Sequence, residues 1–314
     1  MEPKVGIYSG NASRVLAESI AKNYGIPLGK TTYTKFADGE FQVSFDETIR
    51  GKEVFIVQST FPPVDNLFEL LLMIDAAKRA SAKHIYAVIP YFGFARQDRK
   101  DKPRVAIGSK LVADLLQAAG ATHIITMDLH ADQLQGFFNI PVDHLFASSI
   151  FYDYIKDLKI PNLVVSSPDT GGTKRANVYA KAFNCDMAIC YKQREKANQI
   201  SDMVLIGDVK NKNVIIFDDI VDTAGSLIKA ANLMKEKGAL TIRAVCTHAL
   251  LSNNAIEKID ESVIDQLIVT DTIPLRKSSD KIVVLSVAKI FSEVIKRNIY
   301  CESISSFFDF NPFI

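Results

Sequence analysis

The chain has 314 residues, of which 48% are hydrophobic and 23% charged, and its 37 basic and 36 acidic residues leave a formal net charge of +1. This length suits two domains of about 150 residues, and the balanced charge argues against binding nucleic acid by broad phosphate neutralisation. The sequence has no apolar signal segment at its start and no run of about 20 apolar residues that could cross a bilayer. We therefore predict a cytoplasmic protein with neither nucleic acid nor membrane as a partner.

Short apolar runs alternate with longer amphipathic segments along the whole chain. In the first half they predict strands at Val5–Tyr8, Phe41–Phe45, Val54–Gln58, Ile85–Ile89 and Ile124–Met127. In the second half they predict strands at Leu163–Val165, Met187–Cys190, Val214–Phe217, Ile242–Cys246, Leu267–Val269 and Ile282–Leu285. Several runs are apolar at nearly every position, as strands covered on both faces are. The pattern predicts an α/β fold with two similar domains, each a mainly parallel sheet flanked by helices.

Helices are predicted between these strands where apolar residues recur at helical spacing. One stripe runs from Leu67 to Ile74, and another consists of Leu111, Leu115 and Ala118. The stretch from 141 to 149 separates the two sets of strands. We therefore predict an N-terminal domain of residues 1–146 and a C-terminal domain of residues 147–314.

The four cysteines show no spacing typical of a zinc site or of a redox motif. Cys190 and Cys246 fall within apolar strand-like runs, so we predict that both are buried free thiols.

The segment with the clearest chemistry is Val214–Ser226. An apolar strand ends in Asp218 and Asp219, and a short loop then enters a helix that we predict to start near Leu227. Backbone N–H groups at the start of a helix favour an anion, and this loop adds hydroxyl groups and a glycine that permits close approach. The loop consists of Asp222, Thr223, Ala224, Gly225 and Ser226.

Carboxylates have the wrong sign to bind phosphate, so Asp218 and Asp219 must recognise something else, either ribose hydroxyls or a metal. A phosphate cradle beside acids that accept hydrogen bonds from hydroxyls describes a site for a sugar phosphate. It is not a Walker A loop, because this segment contains no Gly-Lys-Ser or Gly-Lys-Thr sequence. The competing interpretation is an ordinary strand–turn–helix junction with a capped helix.

Four further segments carry polar side chains that have both a functional and a structural interpretation. Asp128 and His130 follow a predicted strand at i and i+2, which suits one corner of a metal site, although a single histidine is more often structural. Asp38–Glu40 and the loop around Asp169 are good turn sequences in their own right. The basic cluster in 192–196 is typical of a solvated face.

Taken together, these segments resemble a known family. Val214–Ser226 is similar to the phosphoribosyl pyrophosphate loop shared by type I phosphoribosyltransferases and ribose-phosphate diphosphokinases. The remaining motifs resemble the ribose-phosphate diphosphokinase family in their order and spacing, over nearly the whole chain. They are Phe36–Glu40, Tyr91–Asp101, Met127–Ala131, Gln135–Phe138, Ser167–Gly172 and Lys192–Asn198.

The resemblance implies the transfer of the diphosphoryl group of ATP to ribose 5-phosphate, with Lys192 and Arg194 as catalytic residues. It implies that Mg²⁺ is held by His130 and Asp169, with Asp128 as a possible further ligand. ATP would be bound by Phe36, Asp38, Gly39, Glu40, Arg96 and Gln97. Ribose 5-phosphate would be bound by Arg194, Asp218, Asp219, Asp222, Thr223, Ala224, Gly225 and Ser226.

The resemblance also implies a homohexamer in which a neighbouring subunit contacts the adenine, with phosphate and nucleoside diphosphates as possible effectors. Two alternatives remain at this stage: a phosphoribosyltransferase that consumes the diphosphate, and a regulatory paralogue without activity. The departures from the family pattern are small. Ser226 stands where relatives often carry threonine, and Gln193 stands where many have a basic residue.

Overall fold

The computed structural model describes residues 4–192 and 203–307. The first half of the chain forms β1 (Val5–Ser9), α1 (Arg14–Tyr24), β2 (Thr31–Lys35), β3 (Phe41–Phe45), β4 (Glu53–Val57), α2 (Asp65–Arg79), β5 (His84–Ile89), α3 (Gly108–Ala119), β6 (His123–Met127) and β7 (Val142–Leu145). The second half forms α4 (Ser148–Asp157), β8 (Leu163–Ser167), α5 (Thr173–Phe183), β9 (Asp186–Lys192), β10 (Met203–Ile206), β11 (Asn213–Val221), α6 (Gly225–Glu236), β12 (Thr241–Ala249), α7 (Ala255–Glu261), β13 (Gln266–Thr270), β14 (Ile282–Leu285) and α8 (Ala288–Tyr300).

The described residues divide into two compact units. The first contains residues 4–146, 272–274 and 286–307, and the second contains 147–192, 203–271 and 275–285. Helix α8 belongs to the first unit because it packs against α1. The domains 1–146 and 147–314 stay a prediction: the break after residue 146 coincides with this division, whereas residues 272–274 and 286–307 lie in the first unit.

The first unit is built on a five-stranded parallel sheet in the order β1-β4-β5-β6-β7. Strands β2 and β3 form a separate antiparallel hairpin. Alternate residues of β4, Val54 and Ile56, pack in one buried cluster with Leu70 and Ile74 of α2. The stripe predicted from Leu67 to Ile74 is thus the buried face of a helix.

The second unit is built on a seven-stranded sheet in the order β10-β9-β8-β11-β12-β13-β14. Only the edge strand β10 runs antiparallel to its neighbour among these described strands. Val214 and Ile216 of β11 pack in one buried cluster with Leu227 and Ala231 of α6. Two flanked and mainly parallel sheets confirm the α/β fold predicted from the alternation of apolar runs.

The stretch 141–149 contains β7 and the start of α4, and the first change from one unit to the other falls within it, after residue 146. One expectation about the first unit was wrong. In α3, the stripe of Leu111 and Leu115 is 56% and 40% exposed, whereas Val112 and Leu116 are buried. Helix α3 therefore buries the stripe of Val112 and Leu116 and exposes the predicted one. Both stripes have helical spacing, so spacing alone could not show which of them packs against the sheet.

Smaller features follow the sequence. Gly120 and Gly238 have positive φ angles of 121° and 92° just after α3 and α6, as the ends of these helices require. Cys190 and Cys246 are buried free thiols, as predicted. In the part of the chain that the structure describes, no helix is both long and apolar enough to span a bilayer.

Candidate functional site

Strand β11 carries the two adjacent carboxylates within its own length. Asp218 and Asp219 were predicted to follow a strand that ended at Phe217, but β11 runs on to Val221. Its neighbours β8 and β12 are parallel to it, so all three strands direct their carboxyl ends to the same edge of the sheet. In parallel α/β sheets this edge is where ligands bind.

The junction between β11 and α6 forms a tight turn with an unusual backbone. Ala224 has a left-handed φ of 59°, and the first helical residue is Gly225, two residues earlier than predicted. The turn is fixed from outside, because the amide of Ser252 donates to the carbonyl of Asp222 at 2.9 Å. The N-cap residue Ala224 has only a methyl group, so its own side chain makes no cap hydrogen bond, and the start of a helix favours an anion.

Gly225 leaves open space at the start of α6. A Cβ atom built at Gly225 would meet only the Thr223 hydroxyl, at 3.9 Å. The side chains of Thr223 and Ser226 are exposed on either side of it. The turn thus combines backbone amides, hydroxyl groups and a position without a side chain, as the phosphate cradle predicted from the sequence requires.

Asp218 and Asp219 differ in their surroundings although they are adjacent. Asp218 lies opposite Cys246 of β12 in the strand register, and its Oδ1 accepts the amide of Asp219 at 2.9 Å. Burial, followed by the neighbouring charge of Asp219, raises the pKa of Asp218 well above the ordinary aspartate range, and Arg175 opposes this rise. Asp219 is 9% exposed and forms an ion pair with Arg175. The pair therefore presents hydrogen-bond acceptors that are costly to keep charged unless something donates to them.

The loop around Asp169 lies at the carboxyl end of β8, beside β11. Oδ1 of Asp169 accepts the amides of Gly171 at 2.9 Å and Gly172 at 3.3 Å, and the Ser167 hydroxyl donates to the carbonyl of Asp169. A Cβ at Gly172 would stand 3.6 Å from the carbonyl oxygen of Phe217. The turn predicted here is confirmed, and it places a carboxylate of fixed orientation next to the strand that carries Asp218.

Asp128 and His130 follow β6 in the first unit but do not share a strand face. The strand ends at Met127, and Asp128 has a left-handed φ of 41°, so the alternation assumed for i and i+2 does not continue. Asp128 is buried and His130 is exposed. The next amide, that of Leu129, donates to Nε2 of His144 at 2.9 Å and holds this segment in place.

The predicted metal ligands therefore do not form a closed site within either unit. Among residues 4–192 and 203–307, no group of three or more histidine, cysteine or acidic side chains is arranged to hold a metal ion. One exposed imidazole and one carboxylate of fixed orientation do not suit structural zinc, which takes four protein ligands. Each segment by itself offers one ligand, and Mg²⁺ often takes only one or two protein ligands, with waters and substrate phosphates as the others.

The first predicted ATP segment forms the tip of the hairpin between β2 and β3. The amide of Phe36 donates to the carbonyl of Glu40 at 2.7 Å, Gly39 has a φ of 98°, and Oδ1 of Asp38 accepts the amide of Glu40 at 3.0 Å. The turn predicted from Asp-Gly is thus present. The Phe36 side chain is 47% exposed and available to stack on a ring.

The second predicted ATP segment follows β5. Arg96 and Gln97 are both exposed, and the Gln97 carbonyl accepts the Ser109 hydroxyl at 2.8 Å at the start of α3. Strands β5 and β6 are parallel neighbours, so this loop and the His130 segment leave the same edge of the sheet. Gln133 joins them by donating to Asp98 at 3.3 Å. The structure thus brings the Arg96 loop close to the His130 segment within the first unit.

Of the two catalytic residues predicted from the resemblance, the described residues include only Lys192. The backbone of Lys192 ends β9 and pairs with Met203 of β10. Arg194 lies outside the described residues.

Arg175 was missed by the sequence-based prediction. Its Nη1 lies 3.3 Å from Oδ1 of Asp219. Arg175 and Tyr179 are four residues apart on α5 and therefore share one face of the helix. This spacing was the signal in the sequence that Arg175 lies on the face that carries Tyr179. This signal could have been recognised only with the knowledge that the shared face packs on β11.

Comparisons with known proteins extend this picture to the whole chain. Residues 5–120 match the model for the N-terminal domain of ribose phosphate pyrophosphokinase, and residues 193–309 match the phosphoribosyl synthetase-associated domain. A ribose-phosphate pyrophosphokinase of Porphyromonas gingivalis is 57% identical over 310 residues, which cover 98% of this chain and 99% of that protein. The chain belongs to the ribose-phosphate pyrophosphokinase family. The corresponding protein of Wolinella succinogenes is 54% identical over 96% of this chain and 98% of its own length.

A solved structure from the same family agrees in fold. The phosphoribosylpyrophosphate synthetase of Mycobacterium smegmatis has a TM-score of 0.90 and is 37% identical, with 95% of this chain and 99% of that chain covered. Membership of the pyrophosphokinase family therefore confirms the resemblance inferred from the motifs.

The raised pKa of Asp218 leads to a prediction about stability. The pKa of an aspartate in the unfolded chain is about 3.9, and that of Asp218 is higher in the folded protein. Such a group stabilises the fold at pH values below its unfolded pKa, and this contribution is lost as pH rises through its folded pKa. Asp218→Asn removes this cost and keeps an oxygen that can accept the Asp219 amide. We expect a higher midpoint of thermal unfolding at pH 8, with an advantage over wild type that shrinks towards pH 4.

Asp208→Asn is the matched contrast. Asp208 is exposed, and the backbone amide of Lys210 lowers its pKa, so its contribution to stability is present above the unfolded pKa and is lost as pH falls. This variant should unfold at the same or a slightly lower temperature at pH 8. Equal stability of Asp218→Asn and wild type across the whole range would contradict the cost assigned to the buried carboxylate.

Proposed function

We propose that the protein is a ribose-phosphate diphosphokinase that uses ATP and ribose 5-phosphate. The anomeric hydroxyl of the sugar attacks the β-phosphorus of ATP, the bond from that phosphorus to the α-phosphate oxygen breaks, and AMP leaves. The product is 5-phosphoribosyl 1-diphosphate. The observation that carries the proposal is the β11–α6 junction, where two carboxylates stand directly before an anion-binding turn. Relatives with the pyrophosphokinase name along nearly the full chain support it.

The junction would hold ribose 5-phosphate by both of its ends. The phosphate accepts hydrogen bonds from the first amides of α6 and from the hydroxyls of Thr223 and Ser226. The ribose hydroxyls donate to Asp218 and Asp219, and this compensates for the cost of keeping Asp218 charged while it is partly buried. Asp222 precedes the turn and belongs to the same proposed site.

Mg²⁺ is the cofactor that suits the available ligands. We propose that His130 and Asp169 hold it, with Asp128 as a further candidate. When bound, it would neutralise the phosphates of ATP and make the β-phosphorus easier to attack. The chain's own part is to orient these ligands: amides fix the Asp169 carboxylate, and His144 fixes the backbone next to His130.

The nucleotide is proposed to lie against Phe36, Asp38, Gly39, Glu40, Arg96 and Gln97. Arg96 offers a charge or a flat surface for the nucleotide, and the half-exposed ring of Phe36 offers a stacking face. Lys192 and Arg194 are proposed to stabilise the charge that develops on the transferred group. Their roles rest on the family pattern.

Two alternatives are tested by one assay. A phosphoribosyltransferase would require a nucleobase, and a regulatory paralogue would form no product. Incubation of the purified protein with ATP and ribose 5-phosphate should release AMP without any nucleobase, and EDTA should stop the reaction until Mg²⁺ is added in excess. No AMP release under these conditions would overturn the proposed function.

Lys192→Ala tests the catalytic assignment. If Lys192 acts mainly in the transition state, the variant should lose about 100-fold or more in kcat, with much smaller changes in both KM values. Near-normal turnover would remove Lys192 from the mechanism without affecting the identity of the reaction. Lys181→Gln, an exposed change on α5, serves as the control.

Gly225→Ala tests the phosphate cradle separately from the fold. The new methyl group meets only the Thr223 hydroxyl, at 3.9 Å, and alanine suits a helix, so the unfolding temperature should stay the same or rise slightly. The methyl group would occupy space that the phosphate needs. We expect KM for ribose 5-phosphate to rise about tenfold while KM for ATP stays within about twofold of wild type. An unchanged KM for ribose 5-phosphate would place the phosphate elsewhere.

We further propose that the protein assembles with itself, as a homohexamer, in the cytoplasm, with phosphate and nucleoside diphosphates as possible effectors. Apolar side chains exposed in the first unit support self-association. Tyr33 stacks on Phe41 with ring centroids 5.1 Å apart, Phe68 meets Phe41 edge-on, and Leu111 and Leu115 point outward on α3. Light scattering after size exclusion should give about six times the mass of one chain, and a monomer at micromolar concentration would contradict this assembly.

A further inference from the structure

Helix α5 is fixed against β11 by a stacked pair of aromatic rings. Tyr179 and Phe217 have ring centroids 3.9 Å apart with an angle of 18° between their planes, and they are 2% and 1% exposed. Two large rings buried in contact resist sliding, because any shift would open space in a packed interior. The stack therefore sets which residue of α5 faces which residue of β11.

The stack brings Arg175 to Asp219. Arg175 lies one helical turn before Tyr179 on the same face of α5, and Asp219 lies two residues after Phe217 on the same face of β11. The guanidinium Nη1 is 3.3 Å from Oδ1 of Asp219, and the two side chains are 20% and 12% exposed. Arg175 also influences the adjacent Asp218, but the ion pair that it forms is with Asp219.

The charges of the site explain why such a contact is useful. Asp218, Asp219 and Asp222 fall within five residues, next to the turn that we propose binds the phosphate of ribose 5-phosphate. Negative side chains repel such a ligand, and the repulsion is strong where burial limits screening by water. A guanidinium paired with Asp219 lowers the net charge of the site and also fixes the rotation of that carboxylate.

We propose that Arg175 is a positioning residue for the sugar: it holds the Asp219 carboxylate in the orientation in which it accepts a ribose hydroxyl, and it reduces the repulsion of the phosphate. Arg175 acts through Asp219 and not by contact with the reacting atoms. The inference rests on the proposed function, because it assumes that Asp219 binds ribose 5-phosphate.

The experiment compares Arg175→Gln and Arg175→Lys with Lys181→Gln, which removes a positive charge from an exposed position on the same helix. We expect Arg175→Gln to raise KM for ribose 5-phosphate about tenfold, the effect of losing one charge-assisted hydrogen bond. KM for ATP and kcat should change by no more than about twofold to threefold. Arg175→Lys should recover part of the loss, and Lys181→Gln should match wild type.

A double-mutant cycle tests whether Arg175 acts through Asp219. If it does, Arg175→Gln combined with Asp219→Asn should raise KM for ribose 5-phosphate no further than Asp219→Asn alone. Additive effects of the two changes would overturn the inference, and so would an Arg175→Gln enzyme indistinguishable from Lys181→Gln. Thermal unfolding of each variant separates loss of folding from loss of positioning, and Arg175→Lys preserves the test if the glutamine variant unfolds.

Calorimetric titration with ribose 5-phosphate, in the absence of ATP, separates this inference from the proposed function. If wild type binds the sugar phosphate but releases no AMP from ATP, the proposed reaction fails, and the variants still decide the role of Arg175. If wild type neither binds ribose 5-phosphate nor releases AMP, both proposals fail. If wild type is active and Arg175→Gln binds the sugar phosphate as tightly as wild type, only the role of Arg175 fails.

Discussion

The constraint on which the rest of the second unit depends is the pair of carboxylates that β11 carries inside a parallel sheet. A strand between two parallel neighbours is covered on both faces, so Asp218 and Asp219 are drawn away from water by the same packing that forms the core. Two adjacent acids in that position repel each other, and burial, followed by this repulsion, raises the pKa of Asp218. The arrangement is favourable only if donors surround it, and Arg175, the amide of Asp219 and the proposed sugar hydroxyls are such donors.

In both units the predicted site residues lie on segments that follow parallel strands. In each of them parallel strands end at one edge, and the segments that leave that edge carry the polar residues. In the first unit the loops after β5 and β6 carry Arg96 and His130, and Gln133 joins the two loops. In the second unit the loops after β8 and β11 carry Asp169 and the turn from Asp222 to Ser226. The chemistry thus lies on short segments whose ends are fixed by buried strands, which limits how far they can move.

Much of this architecture could be predicted from the order of residues, because buried parallel strands are apolar at nearly every position. Two of the strands that were missed lack this signature: β2 has the sequence Thr-Thr-Tyr-Thr-Lys and is largely exposed, and β7 has an aspartate and a histidine at its centre. The third, β10, is apolar at all four positions and was missed although it has the signature. Periodicity identified α3 but could not choose between two stripes that are both apolar. It also ended β11 too early, since a carboxylate within a buried strand is explained by tertiary contacts that no local pattern reveals.

Among the site residues, too, those close together in the chain could be predicted and those joined by tertiary contacts could not. The turn after β11 could be predicted because its glycine, hydroxyls and acids are close together in the chain. The ion pair from Arg175 could not, because it depends on the contact of Tyr179 with Phe217, which are 38 residues apart. Ala224 shows a further limit: glycine is the usual choice for a left-handed φ, yet the left-handed residue is the alanine before Gly225. Sequence preference alone places the turn one residue too late.

The left-handed Ala224 also indicates what the turn was selected for. A residue with a Cβ in this conformation costs about 1 kcal/mol, and exchanging Ala224 and Gly225 would remove the cost. The exchange would place a methyl group at Gly225, the position that is open to an approaching anion. The chain therefore keeps backbone strain at one residue and open space at the next. Together with the cost of charging Asp218, this concentrates unfavourable terms at the β11–α6 junction. A bound sugar phosphate could offset those terms, whereas an ordinary strand–turn–helix junction would have no reason to keep them.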